Sequence, residues 1–563
     1  MPKIQPCILK YGYTSIQSKY NWSFGTKPVQ HLPDNLYHYL QNVVPEAKII
    51  GSRSYQHRKV WCNMEKLSYF AGGRYIESET DKYNEVYNPS TGEVTALVPN
   101  CTSDEVEKVI GIAKKAYESW SRVPIIKRVQ VLYKLRQLIE EHMDELTYLV
   151  AQEHGKVWDE AMGDVLKAKE GTELACSAPS LIMGESLMNA SSGFDTVLYR
   201  ESLGVFAGIV PFNFPAMIPM GWMTPMCVAA GNAIVLKVSS STPRTALRFA
   251  ELYKEAGLPD GVLNIITCSR KEAEIFLTHP DIKGISFVGT TAVGKHIYSV
   301  AAAHGKRVQA LCEAKNHALV MKDAPIDRTA AGIINSAFGC AGERCMALPV
   351  VVAEEEIADE LVAKLVELAK GLKVGPAYDK ASTLGPVVNL KHKESILNWI
   401  QKGIDEGAEI VLDGRNVKVE NFENGYYLGP TIFDHVSEDM TIGTTEIFGP
   451  VLCIKRVKDF EEGLAVMNRN PFANGSVIYT QNGYFAREFA SRTHGGMVGV
   501  NVGIPVPVGV FPFSGHKDSF FGDLHCLGKD GIKFYTESKC VTTRWFDEDE
   551  KKNTKVNTWD GTI

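Results

Sequence analysis

Short apolar strands that alternate with helical stretches constrain the fold of this chain more than any other feature. Four such strands are predicted at residues 205–210, 233–237, 262–267 and 284–288. Strand, helix and strand repeated at this spacing predict βαβ units and a parallel sheet with helices on both faces. Ligands of such sheets bind beyond the carboxyl ends of the strands. The residues that follow these strands are therefore the first candidates for function.

A second α/β region follows the first along the chain. Its predicted strands and long helix lie at residues 317–321, 347–355, 357–372 (the helix), 451–457 and 496–502. Upstream, Thr102 and Glu105 have the spacing of a capping box, which predicts a helix from Thr102 to Trp120. The chain is therefore predicted to be an α/β protein.

Composition narrows the class of protein. A chain of 563 residues with 45% hydrophobic and 22% charged residues is typical of two or three globular domains. A net charge of -6 disfavours a nucleic-acid partner, and the apolar runs are too short for a membrane span. The 12 cysteines lack CxxC or metal-site spacing, which indicates a reduced, cytoplasmic protein without a structural metal.

The first 63 residues differ from the remainder in charge. They hold eight Lys or Arg residues and two acidic residues, and they lack helical or strand periodicity. Three readings stay open: a targeting peptide to the mitochondrial matrix, a docking arm, or sequence upstream of a true start at Met64. We favour the start at Met64. Residues 546–563, at the opposite end, are predicted to form a solvated tail.

Distinctive segments follow three of the predicted strands. They are "PFNFP" (211–215), which contains Asn213, then Lys237, and "GTTAVG" (289–294) at the start of a helix. Backbone N–H groups at a helix start attract phosphate, so the last segment suits a dinucleotide. By itself, a tight turn of this kind is weak evidence.

The segment "GCAGERCMA" (339–347) carries the candidate nucleophile Cys345. Arg344 directly precedes it, and a cationic neighbour or oriented N–H groups would lower the pKa of the thiol. Cys340 is the rival thiol, and Glu343 is interpreted as structural.

Five ordered motifs then resemble one family. "PFNFP", "FVGTTAVG", "GERCMA", "EIFGPV" (446–451) and "FPFSGHKDSFFGD" (511–523) resemble the aldehyde dehydrogenase superfamily. The segment "AKNH" and the details of the other motifs are similar to its CoA-acylating methylmalonate/malonate-semialdehyde branch. The resemblance extends from about Met64 to Trp545.

The resemblance implies roles for individual residues. Cys345 would attack the aldehyde, and Asn213 with the Cys345 backbone N–H would hold the oxyanion. Other positions would contact NAD: Val210, Phe212, Lys237, Ser240, Ser241, Gly289, Thr290, Gly294, Cys312, Glu446 and Phe448. Arg344 and Lys167 would hold a substrate carboxylate, and CoA would be the co-substrate.

The resemblance also implies the domain organisation. A Rossmann-type NAD-binding domain would span 64–316, with part of an oligomerising β-extension near 190–203. A catalytic α/β domain would span 317–510. Residues 511–545 would return, with a strand over 530–545 that completes the extension. A homodimer or homotetramer follows from this organisation.

Glu313 raises the question of the acyl acceptor. Hydrolytic family members carry a base glutamate four residues before the lysine that matches Lys315, where this chain has Leu311. Glu313 would lie about 6.6 Å from that position along an extended strand, beyond the roughly 3 Å reach of a base. Transfer to CoA is favoured, while hydrolysis with Glu313 as base and a purely structural Glu313 stay open.

Two further departures concern specificity. The family's "KPSE" reads "KVSS" here, so Ser240 and Ser241 replace the carboxylate that repels a 2'-phosphate, and NAD use with relaxed selectivity against NADP is predicted. Lys167 replaces a family arginine, which keeps the charge but loses the bidentate geometry. The prediction is oxidation of a small, carboxylated aldehyde to an acyl-CoA with decarboxylation. A hydrolytic dehydrogenase and an inert scaffold are the alternatives.

Overall fold

The computed structural model describes residues 64–191, 193–546 and 548–552. The predicted N-terminal segment 1–63 lies outside the described residues, as do most residues of the predicted tail. Among the described residues, the alternating strands form two large sheets, each with a parallel centre. The α/β class predicted from the alternation is confirmed.

The first sheet has eight strands, of which the central five are parallel. All four strands predicted between residues 205 and 288 belong to it. Ala233 to Leu236 are fully buried, and Lys237 emerges at the carboxyl end, as expected of a strand covered on both faces. In spatial order the strands are Arg74–Ile76, Tyr69–Ala71, Leu263–Ile266, Ala233–Lys237, Val205–Ile209, Ile282–Val288, Arg307–Leu311 and Phe520–Gly522.

The second sheet has seven strands, all parallel except for the first pair. Its spatial order brings the first strand of this region, His317–Val320, next to the centre. The strands are Glu409–Leu412, Thr431–Asp434, Val451–Val457, Val350–Glu354, His317–Val320, Gly475–Tyr479 and Met497–Val500.

Helices cover both sheets. The helix Ser103–Trp120 begins at the predicted capping box, in which the Thr102 hydroxyl accepts from the Glu105 N–H and the Glu105 carboxylate accepts from the Thr102 N–H. The other helices of eight or more residues are Ile125–Glu141, Met143–His154, Trp158–Cys176, Arg244–Glu255, Arg270–Thr278, Thr291–Ala303, Ile326–Phe338, Glu355–Lys370, Leu390–Asp405, Phe460–Arg469 and Gly483–Arg492. Shorter helical segments are Ala178–Leu181, Met217–Met223 (a π-helix), Thr224–Ala229, Gly339–Gly342, Thr441–Gly443, Gly528–Phe534 and Glu550–Lys552.

A three-stranded antiparallel sheet corresponds to the predicted extension. It pairs Phe194–Ser202 with Ser186–Ser191 on one side and with Thr536–Arg544 on the other. The sequence places the returning strand from residue 530, but Gly528–Phe534 is helical because Ile532 and Phe534 are buried in the core. Two strand pairs complete the fold: Tyr83–Asn88 with Glu93–Pro99, and Phe472–Ala473 with His516–Lys517.

Each large sheet has apolar clusters on both faces. Burial of one Leu, Ile or Phe side chain contributes about 1.5–3 kcal/mol, so these clusters fix the relative positions of strand ends. The described part of the chain contains no helix with the length and apolarity that a membrane crossing requires.

Candidate active site

The loop that carries Cys345 lies between the helix Ile326–Phe338 and the strand Val350–Glu354 of the second sheet. Its first turn is tight: Cys340 and Ala341 both have φ of 52°, and Gly342 has φ of 76°. A Cβ atom at Gly342 would lie 2.1 Å from the Gly449 carbonyl oxygen, so the close approach requires glycine there. This turn directs the following residues back across the end of the first sheet.

Asparagine side chains from other elements hold this loop. The Asn316 Nδ2 group donates to the carbonyls of Cys345 (2.9 Å) and Ala347 (2.8 Å). The Asn474 Nδ2 group also donates to the Cys345 carbonyl, at 3.3 Å. The backbone around the candidate nucleophile is therefore fixed by long-range hydrogen bonds.

Asn213 reaches the same loop from the first sheet. It follows the strand Val205–Ile209, is buried, and donates from Nδ2 to the Glu343 carbonyl at 3.1 Å. Its Oδ1 atom has no hydrogen-bond partner among the described residues. The structure thus brings Asn213 to within two residues of Cys345 along the loop. The second N–H of the amide remains available for an oxyanion.

The Cys345 thiol is protonated in this arrangement. Burial is the largest cause that raises its pKa to about 12; Glu446 also raises it, whereas the Cys345 and Met346 backbone N–H groups and Lys156 lower it. The sequence predicts a lowered pKa from the neighbouring Arg344. That prediction is wrong, because burial outweighs the favourable charges and the Arg344 guanidinium is paired with Glu160.

Arg344 is paired with another carboxylate. Its Nη2 atom lies 3.0 Å from Glu160 Oε1, and its Nε atom donates to the Cys340 sulfur at 3.1 Å. Arg344 nevertheless lines the same cleft as Cys345. Lys167, the second predicted substrate contact, is exposed and paired with Glu170 at 2.6 Å. The structure does not bring Lys167 to the residues that line this cleft.

Glu446 and Phe448 line the cleft with Cys345. The Glu446 carboxylate accepts from the Ala314 N–H at 3.0 Å, and burial raises its pKa to about 8. Phe448 has φ of 60°, and its carbonyl lies 2.7 Å from the His392 Nε2 atom. Both residues of "EIFGPV" that the resemblance implies are therefore close to the candidate nucleophile.

The remaining predicted cofactor residues meet at the carboxyl edge of the first sheet. The Val210 N–H donates to the Lys237 carbonyl at 3.1 Å, and Phe212 packs edge-on to Phe448. Burial lowers the pKa of Lys237. The helix Thr291–Ala303 begins at this edge, after Gly289 and Thr290. Ser240 and Ser241 are half-buried beyond Lys237.

This edge has the donor set that a dinucleotide needs. Thr290 is exposed and makes no side-chain cap hydrogen bond to its helix within the described chain, so the N-terminal turn can bind an anion. Lys237 supplies an ammonium group, and Glu446 supplies a carboxylate for ribose hydroxyls. These residues fit NAD, with one exception at Glu313.

Glu313 bonds to the helix start itself. Its Oε2 atom accepts from the Thr291 N–H at 2.9 Å, and its carbonyl accepts from the Ser519 hydroxyl at 2.6 Å. Leu311 is buried at the end of its strand. Glu313 is thus a hydrogen-bond acceptor for the helix in this arrangement.

Cys312 and Gly294 have a packing role. A Cβ atom at Gly294 would lie 2.2 Å from the Cys312 sulfur, so the helix rests directly on this side chain. Burial raises the pKa of the Cys312 thiol to about 12. The structure places the Cys312 side chain in the core rather than at the open edge.

Sequence reasoning missed a buried polar cluster behind the loop. Glu343 is fully buried and accepts from the Val388 N–H at 3.2 Å; His392 lies 3.4 Å and His154 3.8 Å from its carboxylate. Burial raises the pKa of Glu343 and lowers that of His154. These histidines belong to helices far away in sequence and have no motif spacing. Asn316, by contrast, lies within the quoted "AKNH" segment.

No cluster of three or more metal-ligating side chains occurs among residues 64–191, 193–546 and 548–552. The site instead combines the candidate nucleophile Cys345, the amide donor Asn213 and the carboxyl edge of the first sheet beside them. These parts suit covalent oxidation of a carbonyl compound.

Comparison with known proteins agrees with this arrangement. The model of the aldehyde dehydrogenase family matches residues 75–541. Malonate-semialdehyde dehydrogenase 2 of Geobacillus kaustophilus (strain HTA426) is 49% identical over 482 residues, covering 86% of this chain and 99% of the relative.

Solved structures show the same similarity. Methylmalonate-semialdehyde dehydrogenase from Oceanimonas doudoroffii has a TM-score of 0.85 and 41% identity, covering 87% of this chain and 100% of the other. A protein from Sinorhizobium meliloti 1021, assigned to the same activity and solved with NAD, has a TM-score of 0.85 and 42% identity, covering 86% and 99%. The chain therefore belongs to the aldehyde dehydrogenase family.

Proposed function

We propose that the protein oxidises a small carboxylated aldehyde, of the malonate or methylmalonate semialdehyde type, with NAD and transfers the acyl group to CoA. The single observation that carries the proposal is the meeting of Asn213 and the Cys345 loop at the dinucleotide edge. The names of the relatives support the substrate class.

The chemistry begins at Cys345. Its sulfur loses a proton and bonds to the aldehyde carbon, and the carbonyl electrons move to oxygen. The Asn213 Nδ2 group and the Cys345 backbone N–H would donate to that oxyanion. NAD, when bound, accepts the hydride that leaves as the carbonyl re-forms. An acyl thioester then remains on Cys345.

The carboxylate of the acyl group can then leave. In a thioester of the malonyl type, the carboxylate is β to the thioester carbonyl. The carbon–carbon bond to the carboxylate breaks, carbon dioxide departs, and the electron pair forms a thioester enolate that takes up a proton. The CoA thiolate then attacks the thioester carbonyl, and Cys345 leaves as thiolate. Cys345 is thereby regenerated for the next turnover.

Arg344 is the residue that we assign to the substrate carboxylate. It lines the cleft with Cys345, and its guanidinium is held by Glu160. A planar guanidinium binds a carboxylate through two parallel N–H bonds. The exposed Lys167 would have at most a weak, screened influence.

Leu311 favours CoA over water as acyl acceptor. It is apolar and buried at the position where hydrolytic members carry their base. Glu313 is occupied at the Thr291 N–H and is not directed to Cys345 by any described hydrogen bond. Both positions therefore lack a free carboxylate for activating water.

One observation favours hydrolysis as the second candidate. Glu446 lines the cleft with Cys345, and its pKa of about 8 is suited to a general base near neutral pH. Glu446 also belongs to the proposed nicotinamide ribose contacts. Its use as a base would require a change of position between the two half-reactions.

Further parts of the proposal concern the surroundings of the site. We assign residues 64–316 to the NAD-binding domain, 317–510 to the catalytic domain and 511–545 to the returning segment. Exposed Met188, Tyr199 and Val541 on the three-stranded sheet suit a homodimer or homotetramer interface. Ser240 and Ser241 permit NADP as a weaker alternative cofactor, and a cytoplasmic location is proposed from the bacterial relatives.

The test follows cofactor reduction by purified protein with NAD and malonate semialdehyde, with and without CoA. The proposal expects one equivalent of NADH per site without CoA, steady turnover with CoA, and an acyl-CoA product by mass spectrometry. An equal steady rate without CoA, abolished by Glu446→Gln, would favour hydrolysis. Absence of reduction with any aldehyde would favour the inert scaffold.

A further inference from the structure

Glu313 holds a backbone N–H at the place where a dinucleotide must bring its diphosphate. The helix Thr291–Ala303 starts at the carboxyl edge of the first sheet, and its first N–H, that of Thr291, is bonded to Glu313 Oε2 at 2.9 Å. The preceding Thr290 makes no side-chain cap bond to the helix within the described chain. The Glu313 carboxylate thus caps this helix from the segment that follows the strand Arg307–Leu311.

We propose that Glu313 sets the affinity of the cofactor site, because its carboxylate competes with the dinucleotide diphosphate for the start of this helix. The inference rests on the proposed function, since it assumes that NAD binds at this edge. NAD would have to displace the carboxylate, and its affinity would be lowered accordingly.

Strand pairing fixes Glu313 at this edge. Val288 and Leu311 are parallel partners at the ends of neighbouring strands, so the residues after them emerge side by side. The Cys312 N–H donates to the Ser519 carbonyl before Glu313. After Glu313, its carbonyl accepts from the Ser519 hydroxyl and the Ala314 N–H donates to Glu446, so the backbone is anchored on both sides of this side chain. The backbone therefore has little freedom, and the side chain itself would have to move when the cofactor enters.

The charge of Glu313 is not balanced by a nearby cation. No ion pair to Glu313 occurs among the residues that the structure describes. Lys295, which belongs to the same helix, pairs instead with Asp518 at 3.1 Å. Glu446 accepts a hydrogen bond from the N–H of Ala314, the residue after Glu313. Glu313 contributes to the raised pKa of Glu446. An entering diphosphate would meet two carboxylic groups at one edge.

Two substitutions distinguish the effect of the negative charge of Glu313 from the effect of its hydrogen bond to the Thr291 N–H. Glu313→Gln keeps an oxygen that can accept from the Thr291 N–H but removes the negative charge. Glu313→Gly removes both and leaves the helix start open. Glu356→Gln is a matched control. Glu356 is an exposed acid in the helix Glu355–Lys370, and it pairs with Lys322.

Direct binding is measured by titration calorimetry of the full chain with NAD and with ADP, which carries the diphosphate without the nicotinamide. We expect Glu313→Gly to bind both about tenfold more tightly than the unchanged protein, a difference of about 1.4 kcal/mol. Glu313→Gln would gain several-fold, and Glu356→Gln would be unchanged. Circular dichroism checks that each variant is folded.

The results separate this inference from the proposed function. If the unchanged protein binds NAD and neither Glu313 variant binds it more tightly, the competition is refuted while the dehydrogenase assignment stands. If neither the unchanged protein nor either folded variant binds NAD, both fail. A gain for NAD without a gain for ADP would also contradict the inference, because the obstacle would then face the nicotinamide rather than the diphosphate.

Discussion

The nucleophile loop and the cofactor edge differ in how their hydrogen bonds are used. At the loop, the carbonyls of Glu343, Cys345 and Ala347 accept bonds from Asn213, Asn316 and Asn474. At the edge, the N–H group of Thr291 is bonded to Glu313 of the same chain.

This difference has a mechanistic meaning. Groups that stabilise a transition state act best when they are already in position. The loop satisfies this condition through bonds that the substrate does not replace. The edge has to exchange an internal bond for a bond to the cofactor. The hydrogen bonds that position the nucleophile loop are therefore already formed before substrate binds. Cofactor affinity, by contrast, can be changed by the substitution of a single residue.

Replacement of the nucleophile tests the loop most severely. Cys345→Ala should reduce kcat/KM for malonate semialdehyde by at least about 1,000-fold, because the covalent route is lost. NAD reduction is followed by absorbance, and Cys340→Ala is the matched control, expected to retain activity. If activity depended on Cys340 instead, the assignment of Cys345 as the nucleophile would be wrong.

Removal of the amide donor should have the next largest effect. Asn213→Ala should lower kcat by about 100- to 1,000-fold, the range for loss of one oxyanion donor. Asn468→Ala serves as control, since Asn468 donates to the exposed Arg492 carbonyl far from the cleft. A change in KM alone would show that Asn213 contributes to binding rather than to the transition state.

The proposed role of Arg344 is to bind the carboxylate of the substrate. Arg344→Lys should reduce kcat/KM about 10- to 100-fold for a carboxylated aldehyde, because the bidentate contact is lost. An uncharged aldehyde of equal length should be affected less. Lys167→Ala should change either value less than about threefold, as expected of an exposed pair. Equal losses for both aldehydes would remove Arg344 from substrate recognition.

The state of the thiol predicts a pH dependence. Because its pKa is about 12, Cys345 is protonated throughout the neutral range, and its thiolate fraction rises as pH rises. Alkylation of Cys345 by iodoacetamide should therefore increase about tenfold per pH unit between pH 7 and 9. Peptide mass spectrometry quantifies the modified site. A rate that levels off near pH 7 would indicate a lowered pKa.

The smallest expected effect concerns the selectivity of the cofactor edge for NAD over NADP. Ser240→Glu should restore the repulsion of a 2'-phosphate and increase the preference for NAD over NADP by about tenfold. Ser239→Glu, one residue earlier, is the positional control. Calorimetric affinities for both cofactors provide the measurement. An unchanged ratio would mean that selectivity arises elsewhere.

Local patterns predicted the framework of the fold well. The capping box at Thr102 and the buried strand Ala233–Lys237 both depend on neighbouring residues, so a sequence pattern contains them. The helix Gly528–Phe534 was missed because distant core contacts decide its conformation.

Side-chain partners were not predictable in the same way. Arg344 is 184 residues from Glu160, and Glu313 is 22 residues from Thr291. Sequence neighbours suggested that Arg344 activates Cys345, and they left open that Glu313 serves as the base in place of Leu311. The tertiary fold instead places a closer partner beside each side chain. Electrostatic attraction to Glu160 orients Arg344, and capping of the Thr291 N–H orients Glu313.

The most direct test of the account is covalent trapping at Cys345. The protein is mixed with NAD and malonate semialdehyde without CoA, quenched in acid, and mapped by peptide mass spectrometry. The account predicts an acyl group on Cys345 in a stoichiometry equal to the NADH formed, and its loss when CoA is added before the quench. NADH formation with an unmodified Cys345, or with the acyl group on another residue, would contradict it.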